Sequence, residues 1–448
     1  MNPAAVITIF DIGKTNKKLF LFDENYHIVF ERSTRLDEVV DEDGYPCEDL
    51  ESLQQFVVDS LNDIIGLKEY DIKAVNFSAY GASLVYIGND GQPLTPLYNY
   101  LKPYPEELSK QFYANHGGEE HFSIETASPV LGSLNSGLQL YRFKQEKPEV
   151  FKHLKYALHL PQYLSFLLTG NCYSDLTSIG CHTATWDFSK NTYHNWIDSE
   201  GVISKLAPIV AADKISQVVF GNSPIKVGPG MHDSSAALIP YLLNFNEPFI
   251  LISTGTWNIS LNPFNQSPLT ADELQQDCLC YLQYQGKPVK ASRLFSGFDH
   301  EQQIKRIAEH FKQSIAKFSR IAFQPEIIKR LKVNQPQGLG FASRRLSDFK
   351  TAEEAYHQLL LDLIHLQVAS TQLVLKGTSV KKIFVDGGFS KNEVFMNLLV
   401  TAFPQMEVYA ASTAQASAVG AALVMHKEWN SKVIPNNIIE LKHYLYHT

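Results

Sequence analysis

Cysteine is scarce: five in 448 residues, at Cys47, Cys172, Cys181, Cys278 and Cys280. An odd, scattered count builds no disulfide framework, and without a CxxC pair it has no zinc-site spacing. Such usage fits a reducing cytoplasm. No uninterrupted apolar run reaches about 18 residues, so no membrane span is expected. Residues 1–13 hold no basic segment ahead of a long apolar one, and they run into a strand pattern, unlike a secretory leader. No basic block stands out either. Lys plus Arg number 39 against 47 Asp plus Glu, a net charge of −8, which argues against nucleic acid as a partner. What is present is ordinary for a globular chain, with 44% hydrophobic and 19% charged residues. The length suggests two or three domains with sizeable cores.

Short apolar runs at 5–10, 19–22 and 27–32, split by tight turns, predict a three-strand meander. Leu50, Leu53, Phe56, Val57, Leu61 and Ile64 have helical spacing, and strands are expected at 72–78 and 83–87. A similar order returns later. Residues 248–253 form a strand ending in Thr254-Gly255-Thr256, 352–376 a long helix, and 382–385 a strand ending in Asp386-Gly387-Gly388. Helices at 392–403 and 413–425 flank a strand at 407–410. This weak self-similarity predicts two related α/β domains, 1–243 and 244–448, with a cleft between them and a hinge near 240–248. Residues 99–220, rich in aromatics, read as an insertion with helical patterns at 137–144 and 154–168.

Five motifs carry the chemistry. Asp11-Ile12-Gly13-Lys14-Thr15-Asn16 contains a Gly-Lys-Thr triplet, but the P-loop pattern wants glycine where Thr8 stands, and a strand follows rather than a helix. A hairpin remains, whose backbone N–H groups, Lys14, Thr15 and Asn16 suit phosphate, with Asp11 suited to a hydrated Mg²⁺. A plain polar turn is the alternative. Gly228-Pro229-Gly230-Met231-His232-Asp233 leads into small residues, so Asp233 reads as a helix N-cap or as a general base. Thr254-Gly255-Thr256 is a second phosphate-type turn, although such residues favour turns anyway. Gly387-Gly388 before Asn392 admits close approach of a nucleotide. The small residues of 416–422 suit tight helix packing or a closing surface. His159, His182 and His194 lack metal-like spacing and read as structural.

In this order and spacing, the five motifs resemble the FGGY family of carbohydrate kinases over nearly the whole chain. The resemblance implies two ribonuclease H-like domains of the actin and hexokinase type. The sugar would lie against the first domain and Mg-ATP mainly against the second. It implies Asp233 as catalytic base and Asp11, Gly13 and Thr15 as the first phosphate and metal turn. Gly255 and Thr256 would form the second turn, and Gly387, Gly388 and Asn392 the adenosine region. His232-Asp233 and Gly255-Thr256-Trp257 are most similar to rhamnulokinases, and residues 385–392 to both rhamnulokinases and fuculokinases. The implied substrate is a ketose such as L-rhamnulose or L-fuculose, with xylulose or glycerol as alternatives. An actin-like ATPase switch and a non-catalytic sugar binder are the rival classes.

The chain departs from the family at Lys14, where a second hydroxyl residue is usual, and at Ser83, where an Asp holds the sugar. Tyr98-Asn99-Tyr100-Leu101-Lys102 replaces a stretch that usually carries Asp and Arg. Tyr80, Gly81, Ser83, Tyr100 and His232 are therefore the expected sugar contacts, in an altered pocket. The expected partners are a small-molecule sugar and, at most, a second copy of the chain as a homodimer.

Overall fold

The computed structural model of the protein describes residues 3–220, 223–334, 340–413 and 415–445. The strand Ala4–Ile12 is apolar on both faces because both are covered: Val6, Phe10 and Ile12 enter one core, Ile7 and Ile9 another. It pairs antiparallel with Lys17–Asp23, which pairs antiparallel with Ile28–Thr34, giving the expected meander. On its other edge it pairs parallel with Tyr70–Ala79, which pairs parallel with Ser223–Val227. Leu53, Val57 and Leu61 of the helix Leu50–Gly66 cover one face, together with Tyr163 and Leu164 of the helix Leu160–Thr169.

The second sheet repeats this order. Phe249–Thr254 pairs antiparallel with Asn258–Asn262, and that strand with Pro288–Leu294. On the other side it pairs parallel with Lys382–Gly387, which pairs parallel with Glu407–Ser412. Three antiparallel strands followed by two parallel ones, twice in one chain, make two ribonuclease H-like domains, as expected. The helix Ala352–Leu375 is long and apolar enough to cross a membrane by composition, but Leu359, Leu360 and Leu363 pack into the second core with Ile250 and Val385. Of the helix expected at 413–425, Ala416–Val424 is observed, and residue 414 lies outside the described residues.

One helix joins the two domains. In Asp233–Asn244, Ala236 and Ile239 belong to the first domain's inner core, while Leu238 and Tyr241 pack with Phe249 and Phe384 of the second. Its backbone lies directly against the helix Ala416–Val424. A Cβ on Gly420 would stand 1.9 Å from the Ala236 carbonyl oxygen, so only glycine permits this approach.

The segment between the first domain's strands is denser than its helical pattern suggests. Residues 154–168 are not one helix. Leu154–His159 is a strand, paired antiparallel with Leu84–Gly88, and the helix starts at Leu160 with Pro161 in its first turn. A short apolar run cannot by periodicity alone be told from a buried strand, and proline is tolerated where a helix begins. Phe112 sits at the centre of the aromatic cluster, edge-on to Tyr113, Phe122, Tyr141 and Trp196.

Beneath the first hairpin lies a buried ion pair. Lys17 opens its strand with its side chain inward and fully buried, and its ammonium meets the Glu48 carboxylate. It also donates to the carbonyls of Gly13 at 3.1 Å and Lys14 at 3.0 Å. With those carbonyls held inward, the turn is fixed from below. Glu48 accepts in addition from the Tyr80 hydroxyl at 2.9 Å.

Two outcomes follow from these contacts. Gly420→Ala should destabilise the protein by about 1–3 kcal/mol, the usual cost of overpacking, read as a fall in urea midpoint at unchanged slope. Lys17→Met leaves the buried Glu48 carboxylate with the Tyr80 hydroxyl and the more distant Lys14 ammonium at 3.8 Å, and should cost up to about 3–5 kcal/mol. The double variant Lys17→Met/Glu48→Gln should recover most of that loss in the same titration.

Candidate active site

The glycine-rich loop 228–230 is placed by one buried side chain. Asn76 accepts from the Gly230 N–H at 3.1 Å and donates to the Ala421 carbonyl at 2.9 Å, tying the first sheet, the loop and the second domain's helix. The helix that follows is capped at His232, with Asp233 as its first residue, so Asp233 is not the N-cap that its sequence position suggests. Its Oδ1 accepts from the Ser234 N–H at 2.6 Å and the Ser234 hydroxyl at 3.2 Å, and lies 3.2 Å from His232 Nε2. All three contacts fall on Oδ1. Among the described residues no side chain occupies Oδ2, and 36% of the Asp233 side chain remains exposed. Protein still crowds the group enough for burial to push its carboxyl up to about 6.

Asp11, at the end of the first strand, stands close enough to Asp233 to feel its charge. Burial first, then Asp233, raise the Asp11 carboxyl to about 6, against a hydrogen bond from Ser417 at 3.0 Å. The charge of Asp233 adds to the cost of ionising Asp11, and a cation beside the two carboxylates would offset that cost. Mg²⁺ uses one or two carboxylates and keeps water or phosphate oxygens for the rest. Among the described residues no group of three or more His, Cys, Asp or Glu side chains converges as a protein-only metal cage, which Mg²⁺ does not require.

The first turn is only partly free. Lys14 is ion-paired with Glu38 at 2.9 Å, and Asn16 accepts from Arg35 at 3.0 Å. Gly13 closes the hairpin onto the Asn16 carbonyl at 3.0 Å, and Thr15 is exposed. Lys18, next along the strand, also lowers the cost of charge on Asp11. None of residues 13–16 lines either cavity described next.

A cavity of ≈ 670 Å³ opens between the domains, lined by Tyr80, Gly81 and Tyr100 on one side and by Thr256, Trp257 and Arg293 on the other, with His232 and Ser234 at its base. A second cavity of ≈ 420 Å³ lies in the second domain, lined by Gly255, Gly388, Asn392, His300, Phe318 and Tyr356. The turn after Phe249–Thr254 thus serves both, Gly255 facing one and Thr256 the other. Thr254 does not reach either cavity with its hydroxyl, which donates to the Asp386 carbonyl at 2.5 Å and accepts from the Phe389 N–H at 3.0 Å. Gly387, at φ +87°, lets the two turns touch: a Cβ there would stand 1.9 Å from the Thr254 carbonyl oxygen. Asn392 caps the helix Glu393–Ala402 through the Phe395 N–H and donates to Tyr356 at 2.7 Å.

Two expected sugar contacts change character. Ser83 is buried against the Tyr80 hydroxyl and is not on the cavity wall, because the chain has already turned into the strand Leu84–Gly88. Tyr80 presents its ring to the cavity but spends its hydroxyl on Glu48. Its ring stands edge-on to Tyr100, 6.0 Å between centroids. Other wall residues carried no motif signal. Arg293 stacks over Trp257 at 5.2 Å while its guanidinium holds Asp277 at 2.6 Å. Cys181 Sγ lies 3.0 Å from His232 Nε2, and burial holds its thiol protonated. His182, which reads as structural by spacing, also faces this cavity. His194 does remain structural, its Nε2 on Glu125 at 3.1 Å.

The wider comparisons agree with this layout. A rhamnulokinase from Oceanobacillus iheyensis is 23% identical over 265 residues, 56% of this chain and 54% of that protein. An L-fuculokinase from Haemophilus influenzae is 23% identical over 280 residues, 57% of each. The chain spans about half the length of the curated relatives it matches. The crystal structure of a carbohydrate kinase from Novosphingobium aromaticivorans superposes with a TM-score of 0.81 at 22% identity, covering 99% of this chain and 95% of that one. The FGGY family of carbohydrate kinases, N-terminal domain, matches residues 6–228, and the carbohydrate kinase FGGY C-terminal domain matches residues 246–432. Two sheets of one topology, a carboxylate pair at their junction and matches along both halves make this chain a member of the FGGY family of carbohydrate kinases.

Proposed function

We propose that the protein transfers the γ-phosphoryl group of ATP to a sugar hydroxyl. The carrying observation is the turn at 255–256, which borders both cavities. A nucleotide in the smaller cavity and a sugar in the larger would meet there. The Asp233 Oδ2 takes the hydroxyl proton as the sugar oxygen bonds to phosphorus. Its raised proton affinity suits that task, because a base works best with a pKa near the operating pH. His232 and Ser234 fix Oδ1 and so aim the other oxygen. Asp11 and Asp233 would hold Mg²⁺, which when bound supplies positive charge beside the transferring group. Gly13, Lys14, Thr15 and Asn16 face the phosphates from the first domain once the cleft narrows, with Gly255 and Thr256 opposite. Closure also excludes water that would compete for the phosphoryl group. Gly387, Gly388 and Asn392 border the adenosine side.

The division of labour assigns sugar binding mainly to residues 1–243 and nucleotide binding mainly to 244–448. Tyr80, Gly81, Tyr100 and His232 contact the sugar. The substrate we favour is a 6-deoxy-ketohexose such as L-rhamnulose or L-fuculose. The motifs and the two curated relatives support it, and a methyl end suits the apolar surface of Leu131, Leu134 and Trp257 on the cavity wall. Five free thiols, four of them buried, suit a cytoplasmic location.

A panel of ketoses, aldoses and polyols in a coupled ADP assay tests the reading. At least one neutral sugar should stimulate ADP formation; if none does, the kinase assignment fails. Asp233→Asn should lower turnover by about 10²–10⁴-fold while sugar binding by calorimetry persists, and near-normal turnover would remove Asp233 as the base. Stripping divalent cations with a chelator should abolish ADP formation, and added Mg²⁺ should restore it.

A further inference from the structure

The stretch 181–185 crosses the wall of the larger cavity in a conformation that side chains rarely adopt. His182 has φ +40° and Ala184 φ +63°, the left-handed region that disfavours residues with a Cβ. Such backbone persists only where its surroundings over-determine it, and here they do. Asn135 donates to the His182 carbonyl at 2.8 Å, and the Gly137 N–H to the Thr183 carbonyl at 2.8 Å. Ser128 accepts from the Ala184 N–H at 3.0 Å, and the Thr183 hydroxyl donates to the Ile179 carbonyl at 2.5 Å. Four separate anchors hold the loop in one shape.

That shape aims an imidazole at the cavity. His182 Nδ1 lies 3.1 Å from the Leu134 carbonyl oxygen. A carbonyl only accepts, so Nδ1 carries the proton and Nε2 keeps a bare lone pair. The Leu134 carbonyl and the residue's own carbonyl are the hydrogen-bond acceptors that the ring meets among the described residues. Burial, then the Arg293 charge and His232, hold the ring neutral, with protonation pushed down to about 3. The charged groups on this wall cancel, since Arg293 is paired with Asp277 at 2.6 Å. His232 is itself buried and neutral. Leu131, Leu134 and Cys181 line the same cavity as the ring.

We propose that His182 is a specificity-determining ligand whose Nε2 accepts one hydroxyl of a neutral polyhydroxylated sugar and disfavours sugar acids. The inference rests on the kinase reading for the identity of the ligand class. A fixed acceptor rewards a hydroxyl donor and repels a carboxylate, so the wall selects by hydrogen-bond polarity as well as by shape.

The test compares His182→Asn and His182→Gln with the unaltered protein. Asparagine tolerates a positive φ and can keep the bond to Leu134, but it leaves nothing where Nε2 was. Glutamine can place its amide oxygen there. His182→Asn should raise both KM and calorimetric Kd for the best neutral sugar by about 10–100-fold, the range for a lost hydrogen bond in a desolvated site. KM for ATP should stay within about twofold and the melting temperature should hold. His182→Gln should recover part of the sugar affinity. Unchanged sugar Kd in His182→Asn overturns the proposal. So does a loss that moves ATP KM and melting temperature alike and is not relieved by glutamine. Aldonates bound as tightly as neutral sugars of equal length overturn the substrate class. If no sugar supports ADP formation, the kinase reading falls separately, and the Kd comparison still decides His182.

Discussion

The contact on which the rest depends is backbone against backbone, where Gly420 meets Ala236. It brings the helix that starts at Asp233 onto a helix of the other domain with no side chain between. Three polar links act at the same junction. Ser417 holds Asp11, Asn76 holds Ala421, and Asn76 also holds the glycine loop ahead of Asp233. Asp11 is held directly by Ser417 of the second domain, and Asp233 follows a loop held by Asn76, which is itself bonded to the second domain. The arrangement of the two carboxylates is therefore a property of the junction, and neither domain alone would supply it.

The same junction explains the electrostatics. Burial holds both acids above the usual carboxylate range, and the charge of Asp233 raises Asp11 further. Such strain persists where binding relieves it. The neutral histidines nearby, His159, His182 and His232, are kept uncharged mainly by burial. The wall of the larger cavity thus carries neutral imidazoles beside one paired cation, Arg293 on Asp277, while the two acids Asp11 and Asp233 stand at the junction of the domains.

Much of this was legible in the sequence. Apolar runs ending in Asp-Ile-Gly, Thr-Gly-Thr and Asp-Gly-Gly marked the strand ends of both domains, because tight turns between close backbones need small residues and strands covered on both faces need none of the usual polar alternation. What was not legible is where each side chain points. Asp233 differs from an N-cap by one residue, a shift no pattern encodes. The Tyr80 hydroxyl is drawn to Glu48, a residue that no motif contains, and Ser83 is buried against that hydroxyl instead of facing the cavity. His182 escaped because its signal is a pair of positive φ angles, and Asn135, Gly137 and Ser128, which enforce them, lie more than 40 positions away.

Tyr80 has its ring in the sugar cavity and its hydroxyl on Glu48, which holds Lys17 under the carbonyls of Gly13 and Lys14. The two walls of the cavity therefore differ in how freely descent can alter them. On the proposed kinase reading, a change at Tyr80 disturbs the support of the turn at 13–16, so new sugar preferences gained there would carry a penalty in turnover. Among the described residues the wall at 129–134 makes no hydrogen bond or ion pair to that set of contacts, whereas Cys181 touches His232 beside Asp233. Lineages that exchange one sugar for another should accumulate their differences at 129–134.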